Sequence, residues 1–359
     1  MGQRTPLYQN HLDAGAKIVD FGGWDMPLNY GSQIDEHHSV RNEAGMFDVS
    51  HMTVVDVLGQ EARPFLRLLL ANDVARLRVS GAALYSCMLT DTGGVVDDLI
   101  VYFRSDNDYR LIVNAATREK DIAWIQKHAQ DFAVDVVERP ELAMLAVQGP
   151  RAREYCEPFL PAELNAASLN PFFAGSDDEF FVARTGYTGE DGYEIVASAP
   201  AIQALWTSLA EAGVRPCGLG ARDSLRLEAG LNLYGSDMDE STHPYESNLA
   251  WTISLDDEER QFIGRSALAA IKQEGVARKL VGLVLSGRGV LRSHQSVTTD
   301  AGEGETLSGG FSPTLKQSIA LARVPFSAGS EVSVDIRGKA VAARIVKPPF
   351  VRKGKSTLK

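Results

Sequence analysis

Nothing in the 359 residues approaches the roughly 18–20 consecutive apolar residues that a membrane-spanning helix needs. Cysteine is scarce. Cys87, Cys156 and Cys217 are odd in number and far apart, with no CxxC or Cys/His spacing, so neither a disulfide framework nor a metal site is expected. A reducing compartment fits them best, each as a small core residue. The segment after Met1, GQRTPLYQNHL, has no apolar signal core and no Arg/Ser-rich transit character, and the cytoplasm is the expected location. Positive charge is in deficit: 36 Lys and Arg against 47 Asp and Glu give a net charge of −11, the wrong sign for general nucleic-acid binding. The GxxxxGK[ST] loop, GxGxxG after a strand, HExxH and GxSxG are all missing, and GLGARD at 218–223 is too short a likeness to count. His37 and His38 are adjacent and cannot meet one metal from one helix face. Nucleotide-binding, zinc-hydrolase and serine-hydrolase readings therefore fall away. No short repeat points to a solenoid.

What is present is a globular composition, 44% hydrophobic and 23% charged, long enough for two or three domains. The first 50 residues read as loop-rich, with one helix from about Ser32 to Glu43, capped by Ser32 and carrying Asp35 and Glu36 in its first turn. Residues 52–138 read as strand, helix, three strands, helix, strand: an α+β unit with an antiparallel sheet, close to a split βαβ arrangement. A second α+β stretch follows, with the strands LAMLAVQG, FFVARTG and YEIVAS and the helices PAIQALWTSLAEAG and ARDSLRLEAG. From 275 the chain becomes short strands between Gly/Ser/Pro turns, a pattern for an all-β barrel or roll. The last nineteen residues hold six Lys or Arg and no acid, which suits either a solvated tail or a docking surface for an acidic partner.

Three motifs place acids and arginines in unusual settings. In GGVVDDLIVYF (93–103), alternation puts Asp97, Leu99 and Val101 on one face and Asp98, Ile100 and Tyr102 on the other. One carboxylate must lie near a buried face, where it needs a protein or ligand partner; the alternative is a loop-edge aspartate capping the Gly93-Gly94 turn. In RTGYTGEDGYEIV (184–196), three glycines permit a tight turn between Tyr187 and Tyr193, and Glu194 enters the next strand among apolar residues. That is a simple hairpin or a seat for a planar heterocycle presenting several N–H donors. In ARDSLRLEAG, Arg222 and Arg226 share a helix face, as part of a salt-bridged helix or as readers of a ligand carboxylate.

With these motifs in view, the sequence resembles the T-protein family of glycine cleavage aminomethyltransferases over essentially its whole length. The likeness runs from TPLYQNHLDAGAKIVDFGGWDMPLNYGSQIDEHHSVRNEAGMFDVSHM through LYSCMLTDTGGVVDDLIVY, VNAATREKDIAWI, AVQGP, RTGYTGEDGYE, CGLGARDSLRLEAGLNLYG and DMDE to FIGR, KLVGL, FSPTL and KPPFVRKGK. The resemblance implies an α+β protein of three domains in a cloverleaf: residues 1–51 with 139–274, a ferredoxin-like unit at 52–138 inserted within them, and a C-terminal barrel or jelly roll at 275–359. It implies tetrahydrofolate as co-substrate without a metal. Its implied partners are a lipoylated H-protein, with glycine decarboxylase and dihydrolipoyl dehydrogenase as fellow members of the system. Asp97 falls on the family's essential aspartate, Glu194 on the carboxylate that holds the pterin, Tyr187 in the same pocket motif, and Arg222 on the folate-binding arginine. Tyr85 and Asn114 fall in strands lining that pocket, and Arg292 near its entrance. RKGKSTLK lacks a tyrosine that some relatives use against folate. The chain lacks the cysteine motif of folate-binding relatives in iron–sulfur maturation and has no room for the flavin domain of demethylating oxidases.

Overall fold

Gly22 and Gly23 are the two central residues of a tight hairpin, with φ of 58° and 86°. Both must be positive in a type I′ turn, which only glycine adopts without cost. They join strands Lys17–Phe21 and Trp24–Asn29 in a segment whose glycines suggested loop. The expected helix forms as Gln33–Asn42, with the Ser32 hydroxyl accepting from the Asp35 amide. Gly45–Asp48 is a further strand that the sequence did not announce: it is four residues long and buried throughout, so it carries no alternation.

The computed structural model describes residues 2–358 and divides into two compact units. The first comprises residues up to Leu69, Val74–Tyr85 and Leu99–Asp223. It contains a six-stranded sheet in the order Ala174–Ser176, Phe181–Ala183, Gly192–Ser198, Leu142–Gln148, Gly45–Asp48, Arg215–Pro216. All pairings are antiparallel except the last, so a strand from the first 50 residues lies beside one that starts at Leu142. Helix Ala199–Glu211 buries Ile202, Leu205, Trp206 and Leu209, spaced for one helical face, in a core shared with Met46, Leu145, Val147 and Ile195. At about 1.5–3 kcal/mol for each large apolar side chain removed from water, this face fixes the helix on the sheet.

Between those paired strands the chain runs strand, helix, three strands, helix, strand from Thr53 to Glu138, the order read from the sequence. Its five strands are arranged Ala83–Leu89, Val95–Ser105, Asp108–Val113, Thr53–Leu58, Asp135–Glu138.

The second unit comprises Leu70–Asp73, Ser86–Asp98 and everything from Ser224. Its main body is a closed, wholly antiparallel barrel of six strands, Arg278–Leu285, Gln317–Pro325, Gly302–Ser312, Ser296–Thr299, Glu331–Asp335 and Ala340–Val346. Closure leaves no open sheet edge. The mixed fold ending in a β-barrel is the class expected. The basic C-terminal stretch is not a free tail: Ala340–Val346 is a barrel strand and Phe350 and Val351 are fully buried. Arg352, Lys353 and Lys355 project from a hairpin that Thr357 ties back to the Phe350 carbonyl. Among the described residues no helix is long and apolar enough to cross a membrane.

Candidate functional site

The RTGYTGEDGYE loop is pinned from three sides. Gln148 donates to the Thr185 carbonyl (3.0 Å) and accepts from the Thr188 hydroxyl (2.8 Å). Arg41 donates to the Thr188 carbonyl and pairs with Glu190, both at 2.7 Å, and Arg184 grips Asp191 through two nitrogens. Two of its glycines sit in close approach to neighbours. A Cβ on Gly186 would lie 1.9 Å from Gln148 Oε1, and one on Gly192 would lie 2.2 Å from the Val147 carbonyl.

This loop delivers Glu194 onto strand Gly192–Ser198, where its direct cross-strand neighbours are Ala183 and Ala146, followed by Phe47. The carboxylate thus stands in an apolar row. Thr185 Oγ1 donates to Glu194 Oε2 over 2.6 Å, and the Tyr102 hydroxyl meets Thr185 Oγ1 at 3.1 Å. Among the described residues Glu194 Oε1 accepts no hydrogen bond. Burial pushes the Glu194 carboxyl above its ordinary range, and the Thr185 hydrogen bond and the Arg222 charge pull it back.

Helix Leu219–Glu228 brings Arg222 to the same unit, its guanidinium carbon 4.5 Å from the centre of the Tyr187 ring. Arg222 also lines a small recess with Met26, Phe47, Asp48 and Cys217. Asp48 closes a buried chain there: it accepts from the Thr5 hydroxyl, meets His11 Nε2 at 2.8 Å, and His11 Nδ1 meets the Tyr30 hydroxyl at 2.8 Å. His51, 3% exposed, is pushed down to about 4 by burial and by the Arg222 charge.

Glu194, Arg222 and Tyr187 therefore all lie in the first unit, with the Arg222 charge acting on the Glu194 carboxyl and its guanidinium over the Tyr187 ring. Tyr85 and Asn114 are half-buried there, in strand Ala83–Leu89 and just beyond strand Asp108–Val113. Asp97 belongs to the second unit and is fully buried two residues inside strand Val95–Ser105. In the turn before it, the Thr90 hydroxyl accepts from the Gly94 amide. The strand start is fixed by Val95, whose amide donates to the Asp239 and Thr242 carbonyls. Arg292 is exposed in the loop before strand Ser296–Thr299. Arg226 is engaged within the protein: it pairs with Asp237 at 2.9 Å and donates to Ser308. Thr185, Tyr102 and Gln148 were not among the expected site residues, although Thr185 and Tyr102 stand inside the motifs themselves.

The first unit thus gathers a carboxylate, an arginine and a tyrosine ring from a strand, a helix and a glycine-rich loop. Family models match over most of the chain: the GCVT N-terminal domain at residues 7–257 and the glycine cleavage T-protein C-terminal barrel domain at 278–352. An aminomethyltransferase of Stenotrophomonas maltophilia is 59% identical, covering 99% of this chain and 98% of its own length. One of Alcanivorax borkumensis is also 59% identical, covering 100% and 99%. The crystal structure of glycine cleavage system aminomethyltransferase T from Bartonella henselae superposes with a TM-score of 0.92 at 35% identity, over 98% of this chain and 99% of that one. The chain belongs to the glycine cleavage T-protein family and is an aminomethyltransferase.

Proposed function

We propose that the enzyme takes the methylene carbon of an aminomethyl group, carried as a thioaminal on the lipoyl arm of an H-protein, and transfers it to tetrahydrofolate. The products are 5,10-methylenetetrahydrofolate, ammonia and the dihydrolipoyl arm. The observation that carries this reading is the Glu194 carboxylate, held by Thr185 on one oxygen among apolar neighbours, in the unit where Arg222 lies over Tyr187. A pterin offers adjacent N–H donors in one plane, which a fixed carboxylate accepts in one orientation. Arg222 and the Tyr187 ring suit the remaining planar and anionic parts of folate. Tyr85 and Asn114 would line the pocket, and Arg292 would add positive charge at its entrance.

In this reading N5 of folate attacks the methylene carbon and the lipoyl sulfur departs as thiol. N10 then closes on the same carbon and ammonia leaves. No covalent enzyme nucleophile is needed. The chain supplies placement, worth up to about 7–11 kcal/mol in favourable cases. Asp97 supplies the acid–base group, orienting N10, taking its proton or stabilising the iminium-like cation. Lipoylated H-protein is the direct partner, with glycine decarboxylase and dihydrolipoyl dehydrogenase acting on the same arm, and the cytoplasm is the setting. Replacing Glu194 by Gln turns one acceptor into a donor facing the pterin's donors. Tetrahydrofolate affinity should fall at least ~10-fold, measured by equilibrium titration. An unchanged dissociation constant would remove Glu194 from the pocket.

A further inference from the structure

We propose that Thr185 and Tyr102 are positioning residues for the ligand held by Glu194: together they commit one carboxylate oxygen to the protein and leave the other, fixed in direction, for the pterin. This rests on the reading of Glu194 given above.

Proton counting sets the direction of the chain. Threonine has a single hydroxyl proton, and Thr185 spends it on Glu194 Oε2 at 2.6 Å. At the 3.1 Å contact with Tyr102, Thr185 must then accept and the phenol must donate. The order Tyr102 to Thr185 to Glu194 leaves each proton pointing toward the carboxylate, the sense that favours its charged form.

Each member is immobilised by separate contacts. Tyr102 is 1% exposed and its ring meets Phe181 edge-on, centroids 5.0 Å apart at 88°. Thr185 is held at its carbonyl by Gln148, and the residue after it cannot carry a Cβ without striking that same amide. A β-branched side chain on so fixed a backbone has few rotamers left. The strands carrying Tyr102 and Glu194 belong to different sheets, and Thr185 is the hydrogen-bonded link between these two side chains. Without the link, no hydrogen bond would fix the Glu194 carboxylate between Ala183 and Ala146, which offer it no donor.

The test compares Thr185→Val, Thr185→Ser, Tyr102→Phe and Glu194→Gln in the full-length enzyme by equilibrium titration with tetrahydrofolate across pH, alongside turnover. Thr185→Val is expected to weaken affinity ~10-fold and Tyr102→Phe ~3-fold, with Thr185→Ser close to wild type, as for the loss of a hydrogen bond to a charged group and of its second link. KM should move more than kcat. The acid limb of folate affinity should shift to higher pH in Thr185→Val, because the hydrogen bond that favours the charged carboxylate is lost and only the Arg222 charge still opposes burial. A structural role alone would not move that limb. If Thr185→Val keeps wild-type affinity and acid limb while Glu194→Gln loses affinity, the inference is wrong and the Glu194 reading stands. If Glu194→Gln binds as wild type does, both fail. Should Thr185→Val not fold, Tyr102→Phe decides: wild-type affinity and acid limb in that variant overturn the proposal.

Discussion

The Arg222 guanidinium lies 4.5 Å from the centre of the Tyr187 ring, and the two residues come from different motifs, one on a helix and one in a glycine-rich loop. Such a stack is worth about 0.5–2 kcal/mol. It also fixes the plane of the guanidinium, which a lysine ammonium lacks. Arg222→Lys is therefore expected to weaken folate binding by roughly 10-fold although charge is conserved. Tyr187→Leu should do part of the same. In a double-mutant cycle the pair should couple by about 1 kcal/mol. Additive effects would show that the stack does not position Arg222.

Asp97 is fully buried on the face of its strand that also carries Leu99 and Val101. Asp97→Asn preserves shape and removes the acid–base function. Turnover should fall by about 10²–10⁴-fold, while the folate dissociation constant stays within roughly 3-fold, since transition-state and ground-state effects separate in this way. Steady-state turnover and titration on the same preparation check both. Turnover within a few-fold of wild type would end the assigned role.

Acid should unfold the protein partly through His51. Its folded pKa is pushed down to about 4 from an ordinary 6.5. Between those values the unfolded chain binds a proton that the folded chain refuses, so stability rises with pH across the window and is lost on acidification. Fully expressed, the loss is about 3 kcal/mol. Urea midpoints measured from pH 6.5 to 4 should fall more steeply for wild type than for His51→Gln. Equal slopes would show that His51 does not carry this dependence.

Arg226 and Asp237 form a buried pair, 3% and 0% exposed, whose carboxylate also accepts from the Ser308 and Leu233 amides. Arg226→Met leaves that charge uncompensated, and a cost of about 3–5 kcal/mol in urea unfolding is expected. A loss below about 1 kcal/mol would mean that Ser308 and Leu233 satisfy Asp237 by themselves.

The sequence carried the repeating strands and helices of residues 53–138 and the barrel well, because alternation and turn residues there are regular. The early hairpin and Gly45–Asp48 were hidden: the first is announced only by two glycines, and the second is uniformly buried and has no period. Around Glu194, the motifs by themselves left a hairpin or a ligand seat open, and the resemblance to the T-protein family singled out Glu194, Arg222 and Tyr187. Thr185 and Tyr102 were not legible, because a threonine in a turn and a tyrosine in a strand are ordinary locally. Only the register between two sheets makes them a chain. Spacing alone gave Arg226 the same standing as Arg222, and the sequence did not show its buried pair with Asp237.

One-carbon transfer itself is tested most directly with H-protein loaded with the aminomethyl group, following ammonia and 5,10-methylenetetrahydrofolate in a single turnover with and without tetrahydrofolate. Both products should appear together, in equal amounts, only when tetrahydrofolate is present. Ammonia released equally fast in its absence, or without the methylene product, would contradict the proposed reaction.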